Sequence, residues 1–372
     1  MTKRDATRPL RIMVLYGTRP ELIKMAPVVR ELRKSPKRFA PRLCTTAQHR
    51  EMLDQMHAVF GLQADLDLDL MRADQGLNEL SSRAFAELDR ALAAEAPDLL
   101  LVQGDTTTAM VGALAAFHRR VPVGHVEAGL RTGDLERPFP EEANRRVIDL
   151  VADLCFAPTE RAAGLLRGEA VPESRIHVTG NTVVDALEWI SSLAPPEPAR
   201  DEVLITVHRR ESFGAPLRAI FAAVRDLAEA FPDVRFVYPV HHNPNVRGPA
   251  HELLAGLPNL ELHEPFDYLE LVRRLRSARL VLTDSGGLQE EAPTFGKPVL
   301  VLRETTERPE GVEAGIAQLV GHDRARIVAE ASRLLTDEAA YAAVATAVNP
   351  YGDGRAAERI GAVLARWQPG VR

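Results

Sequence analysis

The sequence predicts an α/β protein built from two doubly wound domains in tandem, each a parallel sheet with helices on both faces. Three observations predict it. Apolar, β-branched runs alternate with helix-period segments from end to end. The alternation breaks at Leu193–Asp201, where Pro195, Pro196 and Pro198 exclude a helix, and then restarts. The length, 372 residues, exceeds what one ordinary core supports.

The elements follow in order. Leu10–Tyr16 is an apolar strand, and Arg19–Lys34 has helical period. Phe39–Thr45 is strand-like, Leu77–Ala94 helical, Asp98–Gln103 a buried strand and Thr107–Phe117 a helix. Val121–Val126 is a strand and Glu141–Val151 a helix, and strand-like Leu154–Ala157 and Ile176–Val178 close the first half. After the prolines come strand Val203–Val207, helix Pro216–Ala230, strand Val234–Val240 and helix Asp267–Leu275. Strand Arg279–Thr283, helix Leu288–Phe295 and strand Pro298–Leu302 complete the second half. A last helix, Gly354–Trp367, follows the turn Asn349–Asp353. The expected domains are 10–190 and 201–348, with the terminal helix, 353–368, packing back toward the first. In open α/β sheets ligands lie beyond the carboxyl ends of the strands, so the site is expected in the cleft between the domains.

Composition removes several function classes. With 45% apolar and 26% charged residues the chain is globular, and a net charge of −6 leaves no basic surface for nucleic acid. Cys44 and Cys155 sit in apolar, strand-like segments and build neither a disulfide framework nor a metal site. There is no apolar window of membrane-spanning length. Met1–Pro9 is polar and basic without an apolar core, which reads as a short disordered tail on a cytoplasmic protein rather than a secretory signal.

Polar residues cluster just after the strands. Thr283–Pro293 reads as a strand end, a Ser285-Gly286-Gly287 turn and a helix start, whose exposed N–H groups make an anion site. Arg308, in Glu307–Gly311, is placed to clamp the same anion. Arg19 and Lys24 follow the first strand; the single Gly17 there is not a dinucleotide fingerprint, which needs three glycines. Asp105 follows another strand, where it could equally be a helix cap. Glu127 sits at a strand end facing the expected cleft, where a carboxylate has little structural purpose. Glu141 opens a helix and is spaced i, i+4 from Arg145, so the two share a face and can pair. His208 stands at a strand end beside Arg209 and Arg210. His241 and His242 are adjacent and point opposite ways on an extended chain, which argues against a shared metal.

With these segments assembled, the chain resembles the non-hydrolysing UDP-N-acetylglucosamine 2-epimerase family. The matching stretches are Gly17–Glu21, Thr46–Arg50, Gln103–Thr107, His125–Thr132, Pro138–Arg146, Thr179–Thr182, His208–Glu211, His241–Asn245 and Asp284–Gly311, in family order over about residues 10–365. The resemblance implies two Rossmann-like domains of the glycosyltransferase-B-like kind, a homodimer in the bacterial cytoplasm, and interconversion of UDP-GlcNAc and UDP-ManNAc for surface polysaccharides. It implies catalytic roles for Asp105, Glu127 and Glu141, supported by Arg145 and His208. It carries over Arg19, His208, Ser285, Gly286, Gly287, Glu291 and Arg308 as UDP contacts, with Glu291 on the ribose, Lys24 on phosphate or in catalytic support, and Phe266 and Leu271 at the uracil. Members activated by substrate use a Gln-His-x-Gln stretch and a downstream Arg. Gln48 and His49 match that pattern, while Glu51 and Asp74 do not.

The chemistry fits these residue types. The C2 hydrogen of the sugar is not beside a carbonyl, so direct proton removal leaves an unstabilised carbanion. No G-x-G-x-x-G stretch follows any strand, so no nicotinamide cofactor, and no metal, is expected. Elimination of UDP to a glycal and re-addition needs carboxylates near C1–C2 and cations on the leaving group, and both sets are present. Open alternatives are a glycosyltransferase of the same fold, a hydrolysing epimerase, an epimerase of another UDP-sugar, and a non-catalytic nucleotide-sugar sensor.

Overall fold

A computed structural model describes residues 8–48, 50–72, 75–193 and 200–368, without the side chain of Glu51. His49, Asp74 and the linker prolines therefore lie outside the described residues. The chain divides into two compact units. The first comprises the described residues up to Ala186 and those from Gly352 onward; the second is Leu187–Tyr351.

Unit one is built on seven parallel strands: β1 (Leu10–Tyr16), β2 (Phe39–Thr45), β3 (Leu66–Asp67), β4 (Leu99–Gln103), β5 (Val123–Val126), β6 (Leu154–Ala157) and β7 (Ile176–Val178). Their order is β3-β2-β1-β4-β5-β6-β7. The central strands are apolar on both faces because helices cover both faces. Val14 of β1 lies opposite Leu43 of β2 and Leu101 of β4, all three fully buried. The C-terminal helix Ala356–Arg366 belongs to this unit and packs on the helix Arg19–Arg33. Asp185 caps it, accepting from the amides of Ala356 and Ala357 at 3.1 and 2.8 Å.

Unit two has six parallel strands: β8 (Glu202–Thr206), β9 (Arg235–Pro239), β10 (Leu260–His263), β11 (Leu280–Thr283), β12 (Val299–Val301) and β13 (Ala317–Leu319), ordered β10-β9-β8-β11-β12-β13. Alternation along β8 divides its core. Val203 and Ile205 join one buried cluster with Leu280 and Leu282, while Leu204 joins another with Val237 and Val281.

In both sheets the order reverses beside the first strand, between β1 and β4 and between β8 and β11. A doubly wound sheet opens a crevice at such a reversal, beyond the carboxyl ends. That position holds the loops after β1, β4, β8 and β11, which carry Asp105, His208 and Ser285.

Some expectations differ from the structure. The outer strands β3, β10 and β13 and the helices Arg50–Phe60, Glu160–Gly168, Thr182–Leu193, Pro244–Leu254, Pro309–Glu313, Arg324–Thr336 and Glu338–Ala345 were absent from the sequence reading. Those strands are short and carry Asp67, Glu261, His263 and Gln318, so no apolar run marks them. The helix expected at Leu288 begins at Gly286, so the two glycines are its first residues rather than a separate turn. Of the tail, Arg8 and Pro9 lie within the described residues, and Arg8 is held on Asp98 by two bonds of 2.6 and 2.7 Å.

Candidate active site

In unit one the carboxylates ring the strand ends. Glu127 follows β5 with φ +71°, a left-handed conformation costing a non-glycine residue about 1 kcal/mol or more. The amides of Glu127 and Ala128 both donate to the Phe156 carbonyl, at 3.0 and 3.1 Å, and hold this geometry. The Glu127 carboxylate is ion-paired with Lys24 and accepts from Gln103 Nε2 at 3.0 Å. Lys24 thus meets a candidate catalytic group.

Asp105 follows β4. Its carboxylate is ion-paired with Arg145, and its carbonyl accepts from Asn144 Nδ2 at 2.9 Å. Arg145 does not pair with Glu141, contrary to the i, i+4 expectation. Its partners are Asp105 and, at 3.3 Å, Glu142. Glu142 is fully buried and also accepts from the amides of Thr132 and Gly133 and from Arg146, so it binds the preceding loop to the helix Glu141–Val151. Glu141 Oε2 is buried with no hydrogen-bond partner in the protein. Buried polar atoms are normally satisfied, so this atom at the start of the helix Glu141–Val151 keeps Glu141 a candidate.

Arg19 is the first residue of its helix and half-buried. The turn before it is organised by Glu21, whose place two residues after Arg19 gives no sign of that part. Glu21 is buried and accepts from the amides of Gly17 and Thr18, from Thr18 Oγ1, and from Thr106 Oγ1 at 2.6 Å. Burial pushes its carboxyl above the ordinary range, and these bonds oppose the shift. Gln48 joins the same turn through its amide, 2.9 Å from the Gly17 carbonyl.

Unit two carries the cations. Ser285 caps the helix Gly286–Thr294. A Cβ built on Gly286 would lie 2.9 Å from both Arg308 Nη1 and Glu307 Oε1 and 3.2 Å from Arg209 Nη2. Two guanidiniums therefore converge on a helix N-terminus that only glycine leaves open. Arg308 is braced by Glu290 at 2.7 Å and Glu307 at 2.6 Å, and Arg303 reaches Glu307 at 2.8 Å. Burial alone would raise the Glu307 carboxyl, but Arg308 and Arg303 outweigh it and hold it at about 2.

Asp284, fully buried, ties the loop after β8 to the turn after β11. It accepts from the amides of His208 and Arg209, at 3.0 and 2.8 Å, and from Ser212 Oγ at 3.3 Å. The His208 ring stacks on His241, with centroids 5.5 Å apart and planes at 14°. Burial depresses its titration, with Asp284 opposing and His241 adding to the effect.

Glu291 lies 3.5 Å from the Tyr268 hydroxyl. Gly287 has Glu291 Oε1 and Ser285 Oγ each 3.8 Å from where a Cβ would stand. Phe266 and Leu271 pack against the cluster around Leu204 and Val237, with His263 and Arg274 against the Phe266 ring. His242 faces Glu264, away from His241 and its Asn243 amide. Among the described residues no group of three or more His, Cys, Asp or Glu could hold a metal, and no helix is long and apolar enough to cross a membrane.

The family model for UDP-N-acetylglucosamine 2-epimerase matches residues 30–365. The UDP-N-acetylglucosamine 2-epimerase of Escherichia coli K12 is 50% identical over 366 residues, covering 94% of this chain and 97% of that one. The crystal structure of the Neisseria meningitidis UDP-GlcNAc 2-epimerase bound to UDP-GlcNAc superposes with a TM-score of 0.88 at 43% identity, over 95% of this chain and 99% of that one. The Methanocaldococcus jannaschii enzyme in complex with UDP-GlcNAc and UDP gives a TM-score of 0.81 at 32% identity, with the same coverage of 95% and 99%.

Proposed function

The chain belongs to the UDP-N-acetylglucosamine 2-epimerase family, and we propose that it interconverts UDP-GlcNAc and UDP-ManNAc by eliminating and re-adding UDP. The observation that carries this reading is the division of labour. Carboxylates line the strand ends of unit one, and arginines converge on a glycine-led helix start in unit two.

A carboxylate among Asp105, Glu127 and Glu141 takes the proton from C2. The C1–O electron pair leaves with UDP, and a C1=C2 double bond forms. UDP then re-adds at C1 while a second carboxylate returns a proton to the opposite face of C2. The Lys24–Glu127 and Arg145–Asp105 ion pairs hold two of these carboxylates in place. Arg308, Arg209 and the amides of Gly286 and Gly287 stabilise the diphosphate as it departs and retain it. Ser285, Arg19 and His208 add hydrogen bonds, Glu291 takes the ribose, and Phe266 and Leu271 flank the uracil. The enzyme acts as a homodimer in the cytoplasm and supplies N-acetylmannosamine units for surface polysaccharides.

The test is incubation with UDP-GlcNAc in deuterated water, followed by NMR. Deuterium at C2 with UDP-ManNAc appearing is expected. Stoichiometric free UDP would make the enzyme a hydrolase, and no change without an acceptor would make it a transferase.

A further inference from the structure

Unit one holds a buried charge chain that the chemistry above does not use. His125 of β5 is 0% exposed. Its Nδ1 lies 2.6 Å from Asp149 Oδ1, and its Nε2 lies 2.8 Å from the Gly104 carbonyl oxygen. A carbonyl oxygen only accepts, so Nε2 carries a hydrogen. Asp149 Oδ2 already accepts from the Gly129 amide at 3.1 Å and from Arg131 Nη2 at 2.8 Å. The Arg131 ion pair at 2.8 Å and the Gly129 amide on the same oxygen are the partners an ionised carboxylate takes. Asp149 is therefore an ionised acceptor, and Nδ1 carries a hydrogen too. A ring donating from both nitrogens is an imidazolium.

We infer that His125 is a buried imidazolium acting as a positioning residue for Asp105. Its Nε2–H grips the carbonyl immediately before Asp105. Gly104 itself has φ +68°, and its amide donates to the Val126 carbonyl at 3.1 Å. On the other side of Asp105, Asn144 holds its carbonyl and Arg145 its carboxylate. Asn144, Arg145 and Asp149 all belong to the helix Glu141–Val151, so one helix and one imidazolium fix the turn between them. A neutral histidine would have to surrender one of its two donations, and the Gly104 carbonyl would be the one released. Glu169 and Arg131 continue the chain outward from Asp149. Cys155 lies in register with His125 on β6, and Arg175 and Asp153 act on its thiol. Burial pushes its thiol up, so it adds no charge.

The inference rests on Asp105 being part of the acid/base machinery, and the test separates the two claims. The full chain, labelled with 15N in its histidine rings, is followed by NMR from about pH 6 to about pH 8, where an ordinary histidine discharges. One histidine with both nitrogens protonated throughout is expected. Only neutral tautomers at pH 8 would overturn the imidazolium, whatever the activity. Asp149→Asn should then discharge that ring and lower kcat roughly 100-fold, the scale of a small misplacement of a reacting group, while KM for UDP-GlcNAc stays within about twofold. Unchanged kcat in Asp149→Asn and His125→Gln, both folded by thermal melt, would overturn the positioning role. If neither variant folds, the spectrum of the unaltered chain decides. Absence of UDP-GlcNAc turnover in the unaltered chain would sink the proposed function and leave the NMR result standing.

Discussion

Gly286 is where single-residue chemistry is most exposed to test. Its backbone has no need of a left-handed conformation; what requires glycine is the approach of Arg308 and Glu307 to within 2.9 Å of a Cβ position. Gly286→Ala pushes the ends of long side chains rather than backbone, so it should cost about 1 kcal/mol of stability or less. The displaced guanidinium should nevertheless weaken UDP binding by about tenfold, measurable by calorimetry, since a hydrogen bond to a charged group is worth about 1.5–3 kcal/mol. Glu127→Gln tests the other half. It should reduce deuterium exchange at C2 by at least about 100-fold. UDP affinity should hold, because most of the proposed UDP contacts lie in unit two; wild-type turnover would remove Glu127 from catalysis. At this scale the sequence disclosed residue types but not partners. Arg145 sits one turn after Glu141, yet its guanidinium goes to Asp105, 40 positions away. Nothing in the spacing of a helix reveals a group on the end of another strand.

The element that organises unit two is the strand pair β8 and β11, and Asp284 is the joint between their loops. Asp284→Asn keeps one acceptor where three donors converge, so unfolding in urea should show a loss of about 1–3 kcal/mol. UDP affinity should fall with it, because the loop carrying His208 and Arg209 loses its anchor. A variant with unchanged urea midpoint would deny Asp284 this role. In the sequence Asp284 stands within a motif that does not disclose its partners. Its partners belong to a loop over 70 residues earlier, and only the adjacency of β8 and β11 joins them. The long central strands were legible because both faces are apolar. The outer strands β3, β10 and β13 were not, since polar residues interrupt any apolar run there and only pairing with a neighbour defines them.

Over the whole molecule, charge pairing sets acid tolerance. The folded titration of Glu307 is depressed to about 2 from an ordinary 4.5. The stability it contributes is fully present above pH 4.5 and is lost as pH falls toward 2. Asp149 is depressed too, so it acts in the same direction. Urea midpoints should therefore drop steeply across that window, and Glu307→Gln should flatten the drop; an equal slope in the variant would contradict the assignment. The proposed homodimer should sediment at twice the 40.9 kDa chain mass, and a monomer at working concentration would exclude it. The sequence by itself determined the α/β class, the alternation of elements, the family and the candidate residue types, because periodicity and contiguous motifs are local properties. Tertiary structure alone decided which strands adjoin, and hence that Arg145 meets Asp105, Lys24 meets Glu127, and His125 reaches both Asp149 and Gly104. Those contacts join residues far apart in the chain, and the strand order that brings them together is written in no single segment.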